Sequence, residues 1–481
     1  MKRLKPIHSI TPIRLLTFVV ILSFSIYKLT FSIPKTPEII LSLAIIIGSL
    51  LLIFIGPKYF VYISLLLWPV RGLINPDARF TIGSLLSFDL NGLINIVIIF
   101  LGIVYLLINY KNPFSSILAA TFMIFLMFCV LSLIYSQYLY GGIRYLARIT
   151  SPFMFYFITL NEIESEEDSA NLVKCILVSA IFPLAAGIYQ LISGQGNTAT
   201  EGLIRIYGTF EHPNAYSFFL VFIFCIAYTV LLTTKSKWKI YILFLLNAIV
   251  AVMIIQTYCR ISWIAFLVAF FLISYRYRKK KVIIISLLLT ILVYAFFSSS
   301  ILERLGSAAS MLDIDRFKGI LSLNNNKSLL TESSLFKTES SLGWRFNAWI
   351  YLLKHMTGHL IIGHGLGTVF AAMNDLYKTY IHPHNAYIGI LYDTGITGLL
   401  LFIVFIILLF RKVVNLMRNI KKEGSLYNNV SIFLTCLISF IIISTSDNIF
   451  ENPIVSIYFW VFFAIVSSIC QSFKKNKNGS C

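Results

Sequence analysis

Long apolar runs joined by short polar links fill most of the chain. They lie near 15–33, 39–56, 58–70, 91–109, 115–136, 142–160, 171–193, 213–233, 239–256, 259–275, 281–298, 384–410, 429–446 and 453–472. Most approach the roughly 20 residues that a helix needs to cross the hydrocarbon core. Lipid offers no hydrogen bonds, so each span must satisfy its own backbone, and runs of this length predict helices. The pattern predicts an all-α integral membrane bundle of about fourteen spans. The run at 58–70 is short. The runs on either side of Thr257–Arg260 read as two spans or as one broken element.

The long polar stretch, 299–383, divides the chain. Before it, 1–298 forms an N-terminal membrane bundle of about eleven spans. After it, 384–481 holds the last three spans and a basic tail. Within the stretch, an Asn- and Ser-rich patch at 324–334 reads as a flexible excursion. Residues 344–353 space Trp, Phe and Leu at helical intervals, which predicts an amphipathic helix on the outer membrane face. Gly363, Gly365 and Gly367 then predict a turn.

Composition agrees with lipid as the solvent. The 481 residues are 58% hydrophobic and 12% charged, with a mean hydropathy of +0.84, whereas soluble domains carry about 25% charged residues. The net charge of +19 does not indicate nucleic acid, because the basic residues cluster in alternate links. Placing the N-terminus inside gathers Lys2, Arg3, Lys5 and Arg14, Lys235–Lys239, Arg276–Lys281, Arg411–Lys422 and Lys474–Lys477 on one side. That side is cytoplasmic by the positive-inside rule, as are both termini. The acidic link at 161–169 is the exception, and acidic residues count little in this rule. The basic start before 15–33 has no A-x-A site, so it reads as an uncleaved first span. The seven cysteines show neither CxxC nor a disulfide framework.

Candidate chemistry gathers at the outer links. Charges at membrane level cost about 2.5–3.5 kcal/mol each and need a reason. Arg205 opens a segment running through Gly208 and Glu211 to Pro213 and Asn214, which also reads as a helix entry, with Gly208 turning the chain, Asn214 helping to start the helix after Pro213 and Arg205 as an interfacial anchor. Arg260 sits at the Thr257–Arg260 apex, where a snorkelling role is the plainer reading. Arg144 and Arg148 share a helix face, and an anion beside them relieves their repulsion; Glu201, Glu211 or a diphosphate suits. His382, His384 and Asn385 precede a span, where a histidine serves as general base or as a surface residue. Asp447 and Glu451 lie in an acidic turn between the last two spans. No metal or other cofactor is expected: His355 and His359 frame Met356 where a zinc-protease helix carries Glu. The glycine turn lacks the strand and spacing of a dinucleotide loop.

In order and context these segments resemble the bacterial O-antigen ligase and O-antigen polymerase superfamily. The resemblance rests on Arg205 with Gly208, Thr209, Phe210, Pro213 and Asn214 before a span, then Thr257 with Arg260 at an outer apex. Gly343, Arg345 and Trp349, the glycine turn, His384-Asn385 with Tyr387, and Asp393 with Gly395 and Gly398 follow. It covers roughly residues 200–400. It implies a GT-C-like membrane glycosyltransferase in the bacterial cytoplasmic membrane, working without metal on a glycan carried by undecaprenyl diphosphate. Arg205 and Arg260 match the arginines that grip the diphosphate, and His384 matches the base that deprotonates the acceptor hydroxyl. Arg144 and Arg148 join them as donor-site candidates; Asn214, Arg345, Asn385, Asp447 and Glu451 are supporting ones. Cys259 stands where relatives often have Ser.

The partners so implied are the lipid-linked donor, a glycan or lipid-linked acceptor, and membrane lipid. Polymerase, transferring onto another lipid-linked unit, is the favoured reading; ligase, transferring onto lipid A-core, is the alternative. A transporter or flippase of lipid-linked glycans is the rival class. It predicts repeats and charges at the midplane, and neither is visible. The charge asymmetry predicts that reporter fusions at Lys280 and Lys327 signal opposite sides of the membrane. The same side for both refutes the topology.

Overall fold

The computed structural model describes residues 56–73, 79–82, 86–108, 117–198, 203–277 and 343–478. The expected spans at 15–33 and 281–298, all but the last residue of 39–56, and the 324–334 patch lie outside the described residues.

Helix α1 (Pro57–Leu67) runs into a 3-10 turn (Trp68–Leu73). A hairpin of β1 (Arg79–Ile82) and β2 (Leu86–Asp89), with Arg79 opposite Asp89, leads to α2 (Leu90–Ile108). Then come α3 (Ile117–Ser132), α4 (Leu139–Glu162), α5 (Glu166–Ser179) and α6 (Ile181–Ser193). Two-residue strands β3 (Asn197–Thr198) and β4 (Ile204–Arg205) pair before α7 (Pro213–Thr233), α8 (Lys237–Gln256) and α9 (Arg260–Tyr277). The second described part holds α10 (Gly343–Lys354), α11 (Thr368–Tyr377), α12 (Ala386–Asn419), α13 (Ser425–Ser444) and α14 (Pro453–Asn478).

Every apolar run inside the described residues is helical, and the protein is a multi-pass membrane protein. Among these residues, eight helices are long and apolar enough to cross a membrane, with α5 and α6 joined as one. Helix α4 has the length, but Arg144, Arg148 and Glu162 dilute its hydropathy. At Thr257–Arg260 a tight turn separates two helices, and no single broken helix runs through: α8 ends at Gln256, Tyr258 takes a left-handed φ of 50°, and α9 starts at Arg260. Helix α10 forms as expected, but its apolar face is buried against α11 and α12.

Helices that are apolar all round belong at the centre of such a bundle. Of the most apolar stretch of α7, 89% of the residues are buried, and of α14 83%, against 28% for α8, whose Trp238, Tyr241 and Leu245 face outward. Trp460 of α14 ties the centre together. Its ring lies 4.6 Å from Phe122 of α3, 4.7 Å from Phe153 of α4 and 6.0 Å from Phe405 of α12, and such pairs add about 0.5–1.5 kcal/mol each beyond area burial. The acidic link also finds its cause here. Ser165 and Asp168 form a capping box, and Glu166, Glu167 and Asp168 occupy the first turn of α5, where the helix dipole favours negative charge.

One joint holds the segment before α12 to the bundle. Gly395 breaks α12 with φ 65° and ψ −171°. The freed backbone is taken up by the preceding turn: His364 N donates to Tyr392 O (3.0 Å), Gly365 N to Asp393 O (2.9 Å) and Ile396 N to Leu360 O (2.9 Å). The Asp393 carboxylate accepts from Gly367 N (2.7 Å) and Val369 N (2.8 Å), which caps α11. Gly367, at φ 85°, lies so close to α4 that a Cβ there would strike the backbone of Gly142. Gly367→Ala therefore combines left-handed strain of about 1–2 kcal/mol with overpacking of about 1–3 kcal/mol. Gly194→Ala, equally left-handed but facing open space, should cost the strain alone. Thermal melts of the purified protein in detergent check this: Gly367→Ala should fall several degrees further, and equal losses would refute the joint.

Candidate active site

A cavity of about 450 Å³ lies at one end of the bundle. Five of the described helices begin at its wall. Gly92 and Gly141 are the third residues of α2 and α4, His212 is the N-cap of α7, His384 precedes the N-cap of α12, and Pro453 starts α14. Each helix start carries about half a positive charge, so together they favour an anion in the space between them.

On one side, hydrogen bonds run from Arg205 to the cavity. Its Nε donates to Thr257 O and its Nη2 to Asn214 Oδ1, both at 2.7 Å. Asn214 Nδ2 donates to Asp447 Oδ2 (2.8 Å), and His384 Nδ1 lies 3.2 Å from that same oxygen. Arg345 Nη1 donates to the carbonyl and the hydroxyl of Ser446, both at 3.0 Å. Burial alone would raise the Asp447 carboxyl. Contact with His384, the Arg345 guanidinium and the Asn214 amide outweighs it and holds the group well below the usual carboxylate range.

His384 itself is a left-handed residue, φ 50°, which costs a β-carbon-bearing residue about 1–2 kcal/mol. Its neighbours impose the conformation. Trp349 Nε1 donates to Pro383 O (2.7 Å), and Asn385 caps α12 through Ile388 N (3.1 Å) while donating to Thr445 O (3.0 Å). The Trp344 ring stands edge-on to the imidazole at 5.3 Å. A second histidine–carboxylate pair lies two residues away: His382 Nδ1 is 2.8 Å from Glu451 Oε2, and Asn448 Nδ2 donates to Glu451 Oε1 at 2.6 Å.

The structure thus brings His384, Arg144, Arg148, Asn214, Asp447 and Glu451 onto one cavity wall. Arg205 stands one hydrogen bond behind it. Arg345 lies beside Asp447, and Asn385 positions the loop. Arg260 starts α9 just past the apex whose Thr257 carbonyl holds Arg205. The expectation that Asn214 helps to start α7 is corrected. His212 is the cap, its Nδ1 accepting from Asn214 N at 3.1 Å, and the Asn214 side chain crosses to Asp447. Though exposed and on the cavity lining, His212 is pushed down to about 4, first by loss of solvation among its neighbours and then by Arg205, so it is neutral and able to accept. His212, Arg71 and Asn95 were not singled out by pattern. His212 was hidden inside a longer motif, and Arg71 and Asn95 lie outside any motif.

Residues 245–403 match the family model described as O-antigen ligase. Over those residues the chain is similar to the O-antigen ligase family, which supports membership of the O-antigen ligase and polymerase superfamily. The match covers Arg260, Arg345, His382, His384 and Asn385; Arg144, Arg148, Arg205, Asn214, Asp447 and Glu451 lie outside it. A search of curated proteins found no match to the chain.

Asn214 is 5% exposed and bridges a guanidinium to a carboxylate. Asn214→Ala leaves both charged groups short of a partner, which costs roughly 1.5–3 kcal/mol. The melting temperature should fall by several degrees, and an unchanged value would show that the bridge contributes nothing to stability.

Proposed function

We propose that this protein is a membrane glycosyltransferase that moves a glycan from undecaprenyl diphosphate to an acceptor hydroxyl at the outer face of the bacterial cytoplasmic membrane. The observation that carries the reading is the His384–Asp447 pair at the wall of a cavity where guanidiniums and helix starts gather. The fold on this reading is GT-C-like, with about fourteen spans in all.

His384 accepts the proton of the acceptor hydroxyl, with Asp447 orienting the imidazole and balancing the charge that forms. The freed oxygen attacks the anomeric carbon of the donor glycan. The bond from that carbon to the diphosphate oxygen breaks, and its electron pair stays with the lipid diphosphate. The negative charge that grows there is met by guanidiniums and helix starts already in position, so little reorganises as the bond breaks. Arg205 and Arg260 hold the donor diphosphate, with Arg144 and Arg148 nearby; no metal takes part. Arg345 supports Asp447 from Ser446, and Glu451 supports His382 as Asp447 supports His384.

Polymerase is the reading that the arginine distribution favours. A polymerase holds two lipid diphosphates at once, and Arg144 and Arg148 on the wall are separate from Arg205 and Arg260 behind it. Ligase is the second reading, favoured by the description of the matching family model. The purified protein should extend one lipid-linked repeat unit into a ladder without further acceptor. Transfer only when lipid A-core is supplied would make it a ligase, and no transfer to either would end the transferase reading. Asp447→Asn should lower transfer by about 10-fold or more while donor binding is kept, and Arg205→Ala should lose donor binding.

A further inference from the structure

The arginines separate into two groups, and the second holds a member that the proposed mechanism does not use. Arg71 lies in the 3-10 turn after α1 and is 5% exposed, yet it lines the cavity beside Arg144 and Arg148 of α4. Its position is fixed from two sides. Nη1 donates to Asn95 Oδ1 of α2 at 3.2 Å, and the guanidinium lies 4.9 Å from the Trp68 ring centre.

Asn95 is fixed as well. Its amide oxygen also accepts from Ser151 Oγ of α4 at 3.1 Å. With that oxygen occupied twice, what Asn95 has left for a ligand is its NH₂, a donor. This wall therefore presents three guanidiniums and an amide donor, drawn from the turn after α1 and from α2 and α4. Asp447 and Glu451, on the same cavity, are matched to His384 and His382. Glu211 also lines the cavity, as a single carboxylate against three guanidiniums.

We propose that Arg71, Asn95, Arg144 and Arg148 form a second anion subsite that binds a diphosphate, the one carried by the acceptor. The identity of the acceptor rests on the transferase reading; the charge and chemistry of the subsite do not. Guanidiniums bind phosphate oxygens in pairs, through parallel N–H bonds, and Arg71 arrives with its rotamer already set by Asn95 and Trp68. The subsite draws on three separate elements, so it exists only in the assembled bundle.

The test is a binding count on the full chain in detergent, by titration calorimetry with undecaprenyl diphosphate and, separately, inorganic pyrophosphate. The wild type should bind two equivalents of the lipid per chain. Arg71→Gln and Arg148→Gln should each retain one, as should Arg205→Ala through loss of the other site. Arg71→Lys should keep the second equivalent but bind it about 10-fold more weakly, because an ammonium cannot reproduce the fork. Two equivalents of pyrophosphate would identify the diphosphate alone as sufficient, and two of the lipid but not of pyrophosphate would identify a lipid-borne one. One equivalent of lipid in the wild type overturns the subsite, as do two in both glutamine variants. Neither result depends on glycan transfer, so a ladder without the second equivalent refutes this inference alone, and two equivalents without transfer to either acceptor refute only the transferase reading.

Discussion

A single carboxylate holds the cavity end of this bundle together. Asp447 sits in the link between the last two membrane helices, where burial opposes its charge. It stays ionised because His384, Asn214 and Arg345 reach it from three other parts of the chain. An uncompensated charge in such a place is strongly destabilising, so these elements are bound to assemble around it. Hence Asn214 turns away from the helix start that it was expected to serve, and Arg205 lies behind the wall rather than on it.

The helical plan was legible from the pattern of apolar runs, because lipid leaves a chain few alternatives to the helix. Every run that falls among the described residues is helical, and the Thr257–Arg260 apex separates two helices. Several of the cavity's charged residues, lying in links between apolar runs, were legible for a similar reason, since a charge at membrane level needs a cause. Pairings were not legible. Nothing in the spacing of His382, His384, Asp447 and Glu451 says which histidine meets which carboxylate, for that depends on how the last two spans turn against the loop. Arg71 and Asn95 escaped notice because they lie far from any motif and come to the cavity only through packing. The acidic link at 161–169 ran against the charge rule, and helix capping, a local effect, accounts for it.

The two groups of arginines have different mechanical settings. Arg205 is held by backbone and amide groups belonging to α7 and the α8–α9 apex. Arg71, Arg144 and Arg148 stand on the turn after α1 and on α4. A ligand bridging both groups would share its charge between elements remote in sequence.

The Gly363–Gly367 turn changes what its sequence suggests. Three glycines within five residues describe an exposed, pliant loop. Here their backbone completes the interrupted helix at Gly395 and fits against the glycines of α4 with no room for a methyl group. A stretch that looks like solvent-facing connection is thus an internal hinge pin, closed to proteases and reagents that sample loops. The segment leading into His384 is thereby anchored to the bundle on its N-terminal side, and the imidazole inherits the stiffness of the membrane helices.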